Sequence, residues 1–198
     1  VCICLCMLGA MLPAQVFAEE ADTTQTEIVQ DTAPKDTVYL SSADDLIQLA
    51  KNCRLDSWSQ NRTVVLEADI DLSSVDFNGI PSFGGTWEGQ NHAITGLSLS
   101  QDGSVQGLFR YVQQGALVRY MTVKGRIKPG GPRASVGGIA GSNAGTIENC
   151  AFDGVVSGTS QIGGIAGVNT VKGSINGCTV SGTVYGSHFV GGVVGQNG

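Results

Sequence analysis

The side chains able to do chemistry are few, and their spacing argues against most reactions. His92 and His188 stand 96 residues apart, with no H-E-x-x-H that would place two imidazoles on one helical face around zinc. There is no G-x-S-x-G elbow and no C-x-x-C pair. The glycine-rich "GGIAG" lacks the Lys and Ser/Thr of a phosphate loop. Asp69 and Asp71 would share one face of a strand, where paired carboxylates can bind calcium or move protons; no third ligand accompanies them, so simple alternation explains them as well. No catalytic residue, metal ligand or cofactor is assigned.

The one charged constellation is basic. No acid lies between Asp102 and Glu148, a span that holds Arg110, Arg119, Lys124, Arg126, Lys128 and Arg133. Lys124 adjoins Val123, and Arg126 and Lys128 flank Ile127. If Val123 and Ile127 point inward, all three cations point outward. Arg119, Lys124, Arg126, Lys128 and Arg133 are therefore candidates for holding an anionic polymer such as a host or cell-wall glycan; ordinary solubilising charge is the plainer reading. A host surface protein is a further candidate partner. With a pI near 4.7, nucleic acid is not expected.

These residues are positioned by a repeat. "GGIAGSNAGTIENC" (137–150), "GGIAGVNTVKGSINGC" (163–178) and "GGVVGQNG" (191–198) begin 26 and 28 residues apart. The extra two residues fall in the turn "GVNTVKG", which replaces "GSNAG". A more diverged copy, "GLFRYVQQGALVRYMTVKGRI" (107–127), precedes them. The repeats are taken as 107–136, 137–162, 163–190 and an incomplete 191–198. Alignment gives apolar columns: Leu117, Ile147, Ile175; Met121, Cys150, Cys178; Val123, Phe152, Val180; Ile127, Val156, Val184; and Ile139, Ile165, Val193. A core shared between stacked units predicts such columns. The period is too short for a propeller blade, and no stretch of these units is amphipathic over a helix length. The expected fold is all-β: a parallel β-helix, right-handed by the general preference of parallel crossovers, with two or three short strands per winding.

Ile147 and Cys150 are three residues apart yet both expected inside, which requires a bend near Asn149 or Gly177. Asn143, Asn169 and Asn197 recur after glycines and suit a ladder of turn amides; independent surface turns are the alternative. Cys150 and Cys178 should stack as buried thiols or, less favourably aimed, as a disulfide.

Upstream, "SADDLIQLAKNC" (42–53) reads as a helix near the first edge of the stack, capped by Ser42 with Leu46, Leu49, Ala50 and Cys53 on one face. "TVVLEADIDLS" reads as a strand with Val64, Leu66, Ala68, Ile70 and Leu72 inward. Residues 1–18 are uncharged and end in small residues, the pattern of a secretory signal peptide lacking its basic start. Residues 19–37 read as an acidic flexible spacer and 38–198 as the β-helix, continuing beyond Gly198. No membrane span is expected after the signal segment is removed, and the expected location is secreted or cell-surface.

The repeated phrases resemble the GLUG-type repeat of large bacterial secreted or surface proteins, including the non-catalytic region of immunoglobulin A1-cleaving metalloproteases. "GTWEGQNHAITGL" (85–97) is similar to the segment leading into such arrays. The resemblance spans roughly residues 40–198. It implies a β-helix with a stalk, display or adhesive role, sometimes beside a catalytic domain. Two alternatives stand: a carbohydrate-active β-helix (polysaccharide lyase or glycoside hydrolase), and the N-terminal non-catalytic part of a metallopeptidase of that kind whose catalytic domain lies beyond residue 198.

Overall fold

A computed structural model describes residues 36–131 and 135–198. The expected signal segment, nearly all of the expected spacer, and Arg133 lie outside the described residues.

The chain winds through four parallel sheets. It begins with β1 (Thr37–Leu40), α1 (Ala43–Asn52), β2 (Thr63–Leu66), β3 (Ile70–Asp71) and β4 (Ile80–Phe83). Four full windings follow. The first is β5 (Thr86–Glu88), β6 (Ala93–Leu99), β7 (Val105–Gln106) and β8 (Phe109–Val112). The second is β9 (Leu117–Arg119), β10 (Thr122–Ile127), β11 (Ser135–Gly137) and β12 (Ala140–Asn143). The third is β13 (Thr146–Glu148), β14 (Ala151–Ser157), β15 (Ser160–Gly163) and β16 (Ala166–Asn169). The fourth is β17 (Ser174–Asn176), β18 (Thr179–Tyr185), β19 (His188–Gly191) and β20 (Val194–Asn197). Corresponding strands stack as β1-β2-β5-β9-β13-β17, β3-β6-β10-β14-β18, β7-β11-β15-β19 and β4-β8-β12-β16-β20.

This is the expected parallel β-helix, with four strands per winding rather than two or three. The extra strand comes from a corner at the GG pair, with β15 ending at Gly163 and β16 starting at Ala166. A Cβ on Gly138 at the equivalent corner would lie 2.3 Å from both the Phe152 ring and the Gly164 carbonyl oxygen, so only glycine lets the windings approach there.

Register fixes most columns as expected. Ile147 pairs with Ile175, Phe152 with Val180 and Val156 with Val184. One column is corrected: the partner of Ile147 in the preceding winding is Val118, not Leu117. Val118 is fully buried, whereas Leu117 is only partly so. The spacing explains it, because Val118 precedes Met121 by three residues just as Ile147 precedes Cys150. The bend that this spacing demands is present. Asn91, Tyr120, Asn149 and Gly177 have φ of 65°, 55°, 51° and 60°, so this corner carries a left-handed residue in each winding, and Ile147 and Cys150 both face the interior.

A second correction concerns residues 64–72. They form two strands in different sheets, β2 and β3, with a corner between, so Ala68 is not an inward strand position. The two-residue insertion at Thr170–Gly173 sits wholly in a turn, and Asn143 still pairs with Asn169 and Thr146 with Ser174. The helix starts at the Ser42 cap, whose hydroxyl accepts from the Asp45 amide. It packs against β1 and β4 and sinks Leu46, Leu49 and Cys53 into the core.

Candidate functional site

The polar side chains occur in columns, and each column has a different occupation. The asparagine column closes β12, β16 and β20. Asn143 Nδ2 donates to Asn169 Oδ1 and Asn169 Nδ2 to Asn197 Oδ1, each at 2.8 Å. Asn143 Nδ2 also reaches the carbonyls of Gly145 and Ser174, and its Oδ1 accepts from the Gly145 amide at 3.1 Å. Asn143 is fully buried. Burial without partners would be costly, so these amides hold the corner rather than await a ligand.

The charged column comes from β5, β9 and β13. Glu88, Arg119 and Glu148 are register partners. Arg119 Nε lies 2.5 Å from Glu88 Oε1 and its Nη1 lies 3.5 Å from Glu148 Oε1. The hydrogen bond to Glu88 holds the guanidinium above its ordinary value. Arg119 is therefore sandwiched between carboxylates on a different sheet from Lys124 and Arg126. Lys124, Arg126 and Lys128 do project together from β10 and its end, and all three are exposed. Asp153 is the register neighbour of Lys124, so its charge is partly matched.

The paired aspartates are bound up locally. Asp69 Oδ1 accepts from the Ala93 amide at 2.8 Å and lies 3.1 Å from His92 Nδ1. The Ala93 amide first, then His92, lowers its pKa. Asp71 accepts from the amide and hydroxyl of Ser73, both at 2.9 Å, which lowers its pKa too. Asp69 clips one winding to the next, and Asp71 clips its own corner. Among the described residues, no group of three or more His, Cys, Asp or Glu could hold a metal ion.

Cys150 and Cys178 stack as free thiols. Cys150 Sγ donates to the Glu148 carbonyl at 3.3 Å and Cys178 Sγ to the Asn176 carbonyl at 3.4 Å. The neighbouring Cys178 thiol and then burial push Cys150 up, while the Cys150 thiol pulls Cys178, the more exposed of the two, down.

One concave site escaped the sequence reading. A cavity of about 230 Å³ opens beside α1, lined by Ile47, Ala50, Lys51, Arg54, Asp76, Phe77, Asn78, Gly79, Pro81 and Arg110. Its residues come from three separate stretches of chain, so no spacing could announce it.

The profile of the GLUG motif matches residues 133–157. Halomucin of Haloquadratum walsbyi is 29% identical over 171 residues, a stretch covering 77% of this chain and 2% of halomucin. The crystal structure of a candidate immunoglobulin A1 protease from Bacteroides ovatus superposes with a TM-score of 0.63 at 19% identity, over 84% of this chain and 63% of that one. The chain thus corresponds to a small part of the first protein and to less than two thirds of the second. At 19% identity the structural likeness is one of fold. Among the described residues, no helix is long and apolar enough to cross a membrane. The chain carries the GLUG motif, and carries it on strands β11 to β14 of a parallel β-helix.

Proposed function

We propose that this chain is a non-catalytic structural and adhesive module of a secreted or cell-surface protein, a stalk that displays or accompanies another domain. One observation carries the reading: the bonded polar columns join one winding to the next rather than converge on a reaction centre. The Asn143–Asn169–Asn197 ladder, the Glu88–Arg119–Glu148 column and the Asp69 clip to Ala93 all cross between neighbouring windings. Such a stack is stiff along its axis and offers long outer faces, the physical properties of a spacer or display surface. The GLUG motif and the likeness to a candidate protease of an extracellular antibody support an extracellular setting. The adhesive face would be β10 with Lys124, Arg126 and Lys128 toward an anionic glycan; Arg119 is withdrawn from it by its carboxylate partners.

The test is incubation of the full chain with a panel of acidic and neutral polysaccharides. No new reducing ends and no unsaturated products are expected, with salt-sensitive retention on the acidic members. Release of either product would establish the carbohydrate-active alternative instead.

A further inference from the structure

The cavity beside α1 has an unusual charge balance. Lys51 and Arg54 come from the end of the helix and the residues after it, and Arg110 comes from β8. None of the three forms an ion pair among the described residues. Arg110 is half-buried, and its Nε is sealed and has no hydrogen-bond partner among the described residues, so it is the rest of this side chain that lines the cavity and can meet a ligand. Lys51 has a simpler role at a helix C-terminus, where a cation is favoured. That account does not extend to Arg110, which reaches the same space from a different winding.

The rest of the lining narrows the occupant. Ile47, Ala50, Phe77 and Pro81 form an apolar wall. Asp76 and Asn78 add one carboxylate and one amide. Asp76 makes only a long contact, 3.5 Å, with Gln101. A bare anion would leave the apolar wall unused and bring no donor for Asp76. An acidic peptide has amides for Asp76 but is an extended chain, more than a cavity of about 230 Å³ holds. A hydroxylated ring with one anionic substituent satisfies every group: the anion faces Lys51, Arg54 and Arg110, hydroxyls donate to Asp76 and pair with Asn78, and the ring face covers the wall. At about 230 Å³ the cavity holds roughly one ring and no extended chain. Gly79 shapes the rim; with φ +80°, its Cβ would lie 2.7 Å from the Gly107 carbonyl oxygen.

We propose that this cavity binds a single acidic sugar residue, one bearing a carboxylate or a sulfate, independently of the β10 face and of the stalk reading. Calorimetric titration of the full chain with sodium glucuronate, glucose 6-sulfate, glucose, inorganic sulfate and triglutamate tests it. Glucuronate or glucose 6-sulfate should bind at least about tenfold more tightly than glucose, inorganic sulfate or the peptide. Which of the two acidic sugars binds more tightly identifies the anionic group. Arg110→Gln should weaken that binding by about tenfold while leaving the circular dichroism and melting temperature unchanged; Lys51→Gln serves as a second variant, on the exposed rim, if the first misfolds. Lys124→Gln should leave it unaltered, which separates this site from the β10 face. Equal binding of inorganic sulfate, tighter binding of triglutamate, or no binding of either acidic sugar would overturn the proposal.

Discussion

The same register columns are filled differently in the two halves of the stack. Trp87 in β5 is followed by Val118, Ile147 and Ile175. Phe109 in β8 is followed by Ala140, Ala166 and Val194. Phe83 in β4 is followed by Val112, Asn143, Asn169 and Asn197. Upstream, three rings fill the interior, with Trp87 edge-on to Phe83 at 5.9 Å and to Phe109 at 5.2 Å. Downstream, the same three columns hold small aliphatic residues and an amide ladder, and the buried ring there is Phe152 in a different column. The upstream half is therefore held by bulk that is specific to its own windings. The downstream half is held by likeness between windings, each of which is a template for the next. Only the second kind of core yields a visible repeat, and the GLUG match at 133–157 falls entirely within it.

Removing the bulk should be the heaviest blow. Trp87→Ala deletes a fully buried ring and should cost about 4 kcal/mol in chemical denaturation. Trp87→Phe should cost far less, because Trp87 Nε1 is buried without a partner and its loss breaks no hydrogen bond. In a stacked solenoid the damage should also stay local. Amide exchange in β5, β6 and β9 should accelerate more than in β16, and a uniform acceleration would show that the two halves are one cooperative unit.

The downstream half breaks through its amides instead. Asn143→Ala leaves the Gly145 amide and the Ser174 carbonyl without their bonds in a buried corner, at about 2–3 kcal/mol. Asn197→Ala removes a single exposed member and should cost under about 0.5 kcal/mol. If both cost the same, the ladder is decoration on turns that would form anyway.

This contrast also explains what was legible in the residues. Columns built by likeness could be aligned by eye, so Ile147 over Ile175 and Phe152 over Val180 emerged directly. Leu117 was misplaced because Leu and Val are adjacent and both apolar, and only the three-residue step to the left-handed corner at Tyr120 distinguishes them. The strand expected over residues 64–72 hid a corner, since alternation looks the same on either side of a bend that preserves phase. Arg119 was grouped with Lys124 by sequence proximity, although Glu88 and Glu148, its actual partners, are 31 and 29 residues away. The cavity beside α1 was illegible for the same reason: it is assembled across windings, and the upstream windings carry no repeat from which to infer what lies above what.

An effect smaller than that of Trp87 or Asn143 belongs to the upstream end, where α1 is held by its cap. Ser42 Oγ accepts from the Asp45 amide at 3.2 Å and donates to Asp45 Oδ2 at 2.8 Å, while the Ser41 amide also donates to that oxygen. Ser42→Ala should cost about 1 kcal/mol. The hydrogen bond from the Ser42 hydroxyl, then that from the Ser41 amide, lower the pKa of Asp45 in the folded state. Its stabilising contribution is therefore complete above the ordinary carboxylate value of 3.8 and is lost as pH falls through the lowered folded value; Asp45→Asn should flatten that acid limb. Cys53 reports the event directly. Its thiol, at the C-cap of the helix, is fully buried and is pushed up to about 11 by burial, so alkylation requires the helix to lift from the core. With opening favoured by about 1 kcal/mol, Ser42→Ala should speed Cys53 alkylation roughly fivefold. Trp87→Ala should speed it further only if the ring cluster and the helix open as one body. An unchanged Cys53 rate in Trp87→Ala would divide the upstream half in two, with the helix a separate lid on an aromatic plug.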